Sequence, residues 1–196
     1  MSKSDHTGPK KERNKAIRWV VTVFISTILI SGIISLASEE IMSASNMLVA
    51  FIILLAIIFV GILFDIIGVA VTSADEKPFH SMAARKVPGA LEALRLLRNA
   101  EKVGSICNDV VGDICGVVSG SASATIAAQV LQNFEFTWPR LASLLMSALV
   151  AGLTVGGKAI GKGLAINSCT KIVHLAGLAI YRLYRIGGIF KREKKK

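Results

Sequence analysis

Residues 47–74 read MLVAFIILLAIIFVGILFDIIGVAVTSA, an almost unbroken apolar run interrupted by a single acid, Asp65. Few structures can hold such a run. Away from water, every backbone N–H and C=O must find a partner within the chain, and a helix does this within one segment. About 20 helical residues, rising ~1.5 Å each, cross the ~30 Å hydrocarbon layer of a bilayer. The run therefore predicts a membrane span, and it makes lipid the solvent against which the rest of the chain is read.

Three further stretches fit that reading. Residues 17–37, IRWVVTVFISTILISGIISLA, follow the basic start KKERNK, as a signal peptide could. The apolar part is longer than the ~7 to 15 residues of a signal peptide's core, so an uncleaved span over 17–38 is predicted. A third span runs from about Val103 to Val130 and a fourth from about Leu141 to Ala165. In these two, Gly, Ser, Ala and Thr replace much of the Leu and Ile, which predicts helices that face protein rather than lipid. With 53% hydrophobic and 18% charged residues, the expected class is an all-α integral membrane protein with four transmembrane helices.

The formal charge of +10 does not point to nucleic acid, because the Lys and Arg lack the interleaved aromatics that stack bases. They sit beside the apolar runs, where the bilayer and its anionic headgroups are the expected partners. Their distribution sets orientation. The amino-terminal tail (1–16), residues 77–102 and the tail 186–196, ending KREKKK, hold most of them. The loop SEEIMSASN has none and QNFEFTWPR has only Arg140. A multi-pass protein of the cell membrane with both termini cytoplasmic is predicted. Lys158 and Lys162 inside the fourth span are the exceptions.

Within 77–102, apolar Phe79, Met82, Ala83, Val87, Ala90, Leu91 and Leu94 recur at helical spacing with Arg85, Lys86, Arg95 and Arg98 around them. This predicts amphipathic juxtamembrane helices, interrupted near Pro88 and Gly89. KIVHLAGLAIYRLYRI, over 171–186, is similar in character, and both an interfacial helix and a fifth span are open there. Cys107, Cys115 and Cys169 form no CxxC pair, so neither a disulfide framework nor a zinc site is expected. His6, His80 and His174 are scattered and no nucleophile stands beside a base, so no enzyme activity is expected.

Two features of the third and fourth spans stand out. Gly104, Asn108, Gly112, Gly116, Gly120, Ala124 and Ala128 recur every four residues, and Ala148, Gly152 and Gly156, then Gly157 and Gly161, answer them in the fourth span. Such stripes let helices approach closely, within one chain or across a dimer. The second feature is acid. A charged side chain at the bilayer centre costs about 2.5 to 3.5 kcal/mol, so Asp65, Asp109 and Asp113 should not face lipid. Three arrangements offset that cost. The oxygens could hold Mg2+, a hard cation; the acids could pair with Lys158 or Lys162; or Asp109 and Asp113 could lie near a membrane edge, open to water.

TSADEKPFHSMAARKVPGALEALRLLRNAEKV, ICN and VGGKAIGKGLA together resemble the transmembrane domain of the CNNM/CorB/CorC magnesium-transport proteins. The first is similar to that domain's Ser-x-x-Glu-Thr-Ala-Leu helix end and its later Leu-Leu-x-Asn-Pro-Glu-Arg element. Ser73 and Glu76 fall on the Ser and Glu; Asn99, Glu101 and Lys102 fall on Asn, Glu and Arg. Asn108 falls on the Asn of an Ile-Gly-Asn motif once about four residues are taken as missing before it. The third stretch matches Phe-Gly-Glu-Ile-x-Pro-Lys-x-x-Ala. The resemblance covers residues 47–185 and implies a three-helix core with a belt of juxtamembrane helices, to which the span at 17–38 is an addition. It also implies a homodimer that binds Mg2+ between helices and exchanges it against Na+, with Ser73 and Asn108 as ion ligands. Aligned on Lys162, the family's Glu is Lys158 and its Pro is Gly161, so Lys158 stands where an ion ligand is expected. The family's cytoplasmic nucleotide-binding CBS modules have no counterpart, and regulation by nucleotide is not expected.

Overall fold

The apolar runs become long helices because nothing in them breaks a helix and everything in them tolerates lipid. A computed structural model describes residues 9–43, 45–133 and 139–193, with the backbone alone described at 9–16, 42–43, 133, 139 and 187–193. In chain order the helices are α1 (Pro9–Ser43), α2 (Met47–Ser73), α3 (Lys77–Ala84), α4 (Ala90–Arg98), α5 (Ala100–Ser105), a π-helical segment (Ile106–Gly112), α6 (Asp113–Asn133), α7 (Pro139–Asn167) and α8 (Cys169–Glu193). Among these residues there is no strand. Four stretches are long and apolar enough to cross a membrane: Ile17–Ile41, Met47–Ser73, Ala100–Gln132 and Arg140–Asn167. The chain is an all-α, multi-pass membrane protein. Residues 1–8 and 194–196 of the basic tails and 134–138 of the loop QNFEFTWPR lie outside what is described.

The core is built around α2, which packs against α6, α7, α5 and the π-helical segment. Ala50, Leu54 and Ile58 of α2 meet Ala122 and Ile126 of α6 and Val150 of α7. Val110, Ile114 and Val118 form a second cluster, against which Val23 of α1 and Ile57 of α2 pack. Helix α1 thus leans on α6 and leaves most of its surface open.

At one end of the bundle α2 ends, α5 begins and α7 ends. There α3, α4 and α8 gather around Phe79, Ala93, Leu94, Leu97 and Val173, together with Ala70 and Val71 of α2 and Ala165 of α7. Helix α4 is amphipathic: Ala90, Ala93, Leu94 and Leu97 are buried at the i, i+3, i+4, i+7 spacing of one helical face. Leu91, read as part of the apolar face, points outward and is exposed, since it lies about 100° from Ala90. The break between α3 and α4 falls at 85–89, where Gly89 adopts φ +83°, a left-handed backbone that suits glycine.

Several boundaries differ from the sequence reading. The loop SEEIMSASN is mostly helix, since α1 continues to Ser43; no Gly or Pro occurs between Ser38 and Ser43 to stop it. The third span starts at Ala100, with Asn99 as the hinge from α4. Residues 171–185 belong to α8, which packs along α4 and α2 and is not among the four spans. The fourth span faces outward more than expected: Leu144, Leu145, Leu149, Leu153, Ile160 and Leu164 are exposed, because α7 meets the bundle along a narrow glycine-bearing strip.

Candidate functional site

One face of α2 carries Gly61, Asp65, Gly68 and Thr72, spaced by four, three and four residues. Opposite it runs the antiparallel stretch from Gly104 to Cys115. The two backbones come so close that side chains larger than glycine have no room. A Cβ at Gly61 would lie 2.8 Å from Cys115 Cβ, and one at Gly104 would lie 2.7 Å from Thr72 Cγ2. One at Gly68 would collide with the amide of Asn108. This approach coincides with the π-helical segment Ile106–Gly112. There i→i+5 bonding widens the helix by one residue, a distortion that recurs at functional sites.

Asp65 sits in the middle of this seam, 5% exposed. From the third side α7 delivers Lys158, one turn before Gly161. A Cβ at Gly161 would lie 2.7 Å from Ile66 Cγ1, and Gly157 faces Ile62 as closely. The lysine Nζ lies 4.0 Å from Asp65 Oδ1 and 3.9 Å from Asp113 Oδ1. It donates a hydrogen bond of 3.3 Å to the carbonyl oxygen of Gly112, the last residue of the π-helical segment. Three helices therefore converge on one ammonium.

Both ion-pair distances are at the outer limit of contact, and the ammonium is shared rather than clasped by either carboxylate. Two carboxylates share one ammonium, a formal excess of one negative charge, with the Asp65 side chain buried and that of Asp113 71% exposed. Among the described residues two side-chain oxygens are also buried without a hydrogen-bond partner, Asp65 Oδ2 and Asn108 Oδ1. Such groups are costly to bury, each by about 1–3 kcal/mol when unsatisfied, and native proteins keep few of them. The centre is thus an acceptor-rich site with one resident cation.

The expected site residues divide. Asp65, Asp113 and Lys158 come together, and Asn108 packs on the adjoining turn against Gly68. Asp109 does not join them: it is exposed and accepts a 2.9 Å hydrogen bond from Ser105. Ser73 is exposed at the last residue of α2, beyond the seam, and forms no hydrogen bond among the described residues. Lys162 is exposed one turn past Lys158 and makes no ion pair there. Among the described residues no three His, Cys, Asp or Glu side chains cluster as metal ligands do.

The glycine stripes also part company. Gly112 belongs to the centre, with a Cβ there 3.3 Å from Lys158 Nζ. Gly116, Gly120, Gly152 and Gly156 have open space where a Cβ would stand, so within the chain the two stripes do not pack on each other. Gly116 and Gly120 line a cleft of about 540 Å³ between α6 and α7, which also holds Ser123, Ser147, Thr154 and Lys158. Gly152 and Gly156 open onto a separate apolar groove beside Ile58 and Ile62. The close-packing glycines that mattered, Gly61 and Gly68, lie seven apart in the Ile- and Leu-rich second span with Asp65 between them. That spacing on one helical face was the available signal.

No protein-family profile, curated protein or solved structure matches the chain.

Proposed function

We propose that the protein is a membrane-embedded cation-handling protein of the CNNM/CorB/CorC kind whose resident cation is the Lys158 ammonium. What supports this is the centre itself: Lys158 Nζ between Asp65, Asp113 and the Gly112 carbonyl, with Asp65 Oδ2 and Asn108 Oδ1 buried and unpartnered nearby. A net negative charge with free oxygen acceptors suits a small hard cation. Mg2+ is the cargo in this reading and Na+ the exchanging ion. An ammonium and a divalent ion repel strongly at these distances, so cation binding and withdrawal of Lys158 are one event. The α6–α7 cleft, which already holds Lys158 at its lining, is where the side chain moves. The chain sits in the cell membrane with both termini on the cytoplasmic side, and a second copy covers the open glycine faces as a homodimer.

The test is uptake by the purified protein in liposomes loaded with a Mg2+-sensitive dye, with and without a Na+ gradient. Wild type is expected to admit Mg2+, and Asn108→Ala and Asp65→Asn to lose it. Absence of ion-dependent flux and of ion binding in wild type would overturn the reading.

A static alternative has its own observation. The Lys158 hydrogen bond to Gly112 and its two carboxylate neighbours form a closed set that needs no ion. On that reading the chain is a non-transporting scaffold or accessory subunit. Protein without flux in any variant, but destabilised by Lys158→Met, is its signature.

A further inference from the structure

We propose that the mouth between α4 and α8 is a binding site for one anionic phospholipid, with Arg95 and Arg185 holding its phosphate. The two helices are pinned together at Gly89 and Gly177. A Cβ at Gly177 would lie 2.8 Å from Ala93 N, and one at Gly89 would lie 2.6 Å from Leu178 N. His174 Nε2 lies 3.1 Å from the Pro88 carbonyl oxygen, on the same side of the pin. Further along, the helices leave a cleft of about 430 Å³ lined by Glu92, Arg95, Tyr181, Tyr184 and Arg185. Among the described residues neither arginine forms an ion pair. Two guanidinium groups and two phenols facing one opening make a phosphate-recognition chemistry, since arginine matches the planar spread of phosphate oxygens.

The shape of the site argues for a lipid rather than a free anion. A second cleft of about 250 Å³ shares Glu92, Arg95 and Tyr184 with the first and adds Asn99 and the apolar Leu96, Val103 and Ile180. A polar mouth thus continues into an apolar notch, as an amphiphile requires. Val103 lies in the first turn of a predicted span, Ala100–Gln132, so the notch opens at the level where the acyl chains begin. Leu183, Tyr184 and Ile186 on α8 and Leu91 on α4 are exposed, and tyrosine is favoured at the membrane–water boundary. Charge selects the headgroup. With Glu92 counted against the two arginines, the mouth carries one positive charge, which matches a phosphodiester. Glu92 is then placed to accept hydrogen bonds from headgroup hydroxyls, as in phosphatidylglycerol. Nothing in this assignment depends on whether a cation crosses the centre.

The test is native mass spectrometry of the full chain released from nanodiscs of phosphatidylcholine with phosphatidylglycerol as a minor component. Wild type is expected to retain one phosphatidylglycerol in preference to phosphatidylcholine. Arg95→Gln with Arg185→Gln should weaken retention roughly tenfold or more, whereas Lys171→Gln with Arg182→Gln, which removes two exposed cations of α8 outside the mouth, should leave it nearly unchanged. Equal loss in both pairs would show attraction to overall charge and overturn the site. Displacement of the lipid by millimolar inorganic phosphate would overturn the lipid assignment in favour of a free anion. A photoactivatable phosphatidylglycerol gives a readout independent of these variants: label on 89–98 or 180–186 supports the site, and label confined elsewhere refutes it.

Discussion

Lys158 decides how the centre behaves, because among the described residues it is the one cation paired with a buried carboxylate, that of Asp65. Removing the ammonium while keeping Asp65 leaves a buried charge without compensation, which costs about 3–5 kcal/mol when a buried pair loses one member. Lys158→Met is therefore expected to lower the unfolding midpoint in detergent sharply. Adding Asp65→Asn should recover much of the loss, since an amide carries no charge to strand. A double-mutant cycle reads the interaction, and simple additivity of the two changes would show that the pair is not coupled. The sequence made Lys158 and the acids visible as charges in apolar runs. Which acids meet Lys158 was not visible, because Asp65 and Asp113 come from different helices and only the α2–α7 and α6–α7 packing sets their positions. Asp109 looked equivalent to Asp113 from a spacing of four. Both are exposed; they differ in partner, Ser105 for Asp109 and the Lys158 ammonium for Asp113.

At the scale of elements, the seam between α2 and the π-helical segment depends on missing side chains. A methyl at Gly61 must displace the Cys115 Cβ, which cannot swing aside as a long side-chain end could. Overpacking of this kind costs about 1–3 kcal/mol, so Gly61→Ala should destabilise the protein by that order in detergent unfolding. Gly152→Ala, with open space around its Cβ, should stay within about 0.5 kcal/mol of wild type. Equal effects at both positions would mean that the seam is not where the helices are held. The spans were legible from the sequence because a helix in lipid needs only length and apolar composition. The pairing of stripes was not, because a four-residue repeat names a face without naming its partner. Gly116 and Gly152 show this: each lies on a regular stripe, yet they line different clefts. The π-helical segment left no sequence mark beyond Asn108 and Gly112, since it arises from how closely α2 approaches.

For the whole molecule, the distribution of charge between the two ends of the bundle is what supports the proposed orientation in a membrane. Helices α3, α4 and α8 bring Lys77, Arg85, Lys86, Arg95, Arg98, Lys171, Arg182 and Arg185 to the end where α2 and α7 finish. The opposite end, at 38–46 and around the start of α7, carries Glu39, Glu40 and, among the described residues, the single cation Arg140. Basic residues resist translocation, so the proposed orientation puts the end that carries them on the cytoplasmic side. Helix α1 starts at that same end, because it joins α2 through residues 44–46 at the other. In that orientation the basic sequence at the start of α1 would add its charge to the same side, and the α4–α8 mouth would face the leaflet in which anionic headgroups reach it. Site-specific labelling in a background lacking Cys107, Cys115 and Cys169 tests this arrangement. Asn46→Cys is expected to react with a membrane-impermeant maleimide in intact cells, and Arg85→Cys only after permeabilisation. The reverse pattern would invert the protein, placing its basic layer outside the cell and removing the charge argument for both the orientation and the lipid site's access to the inner leaflet.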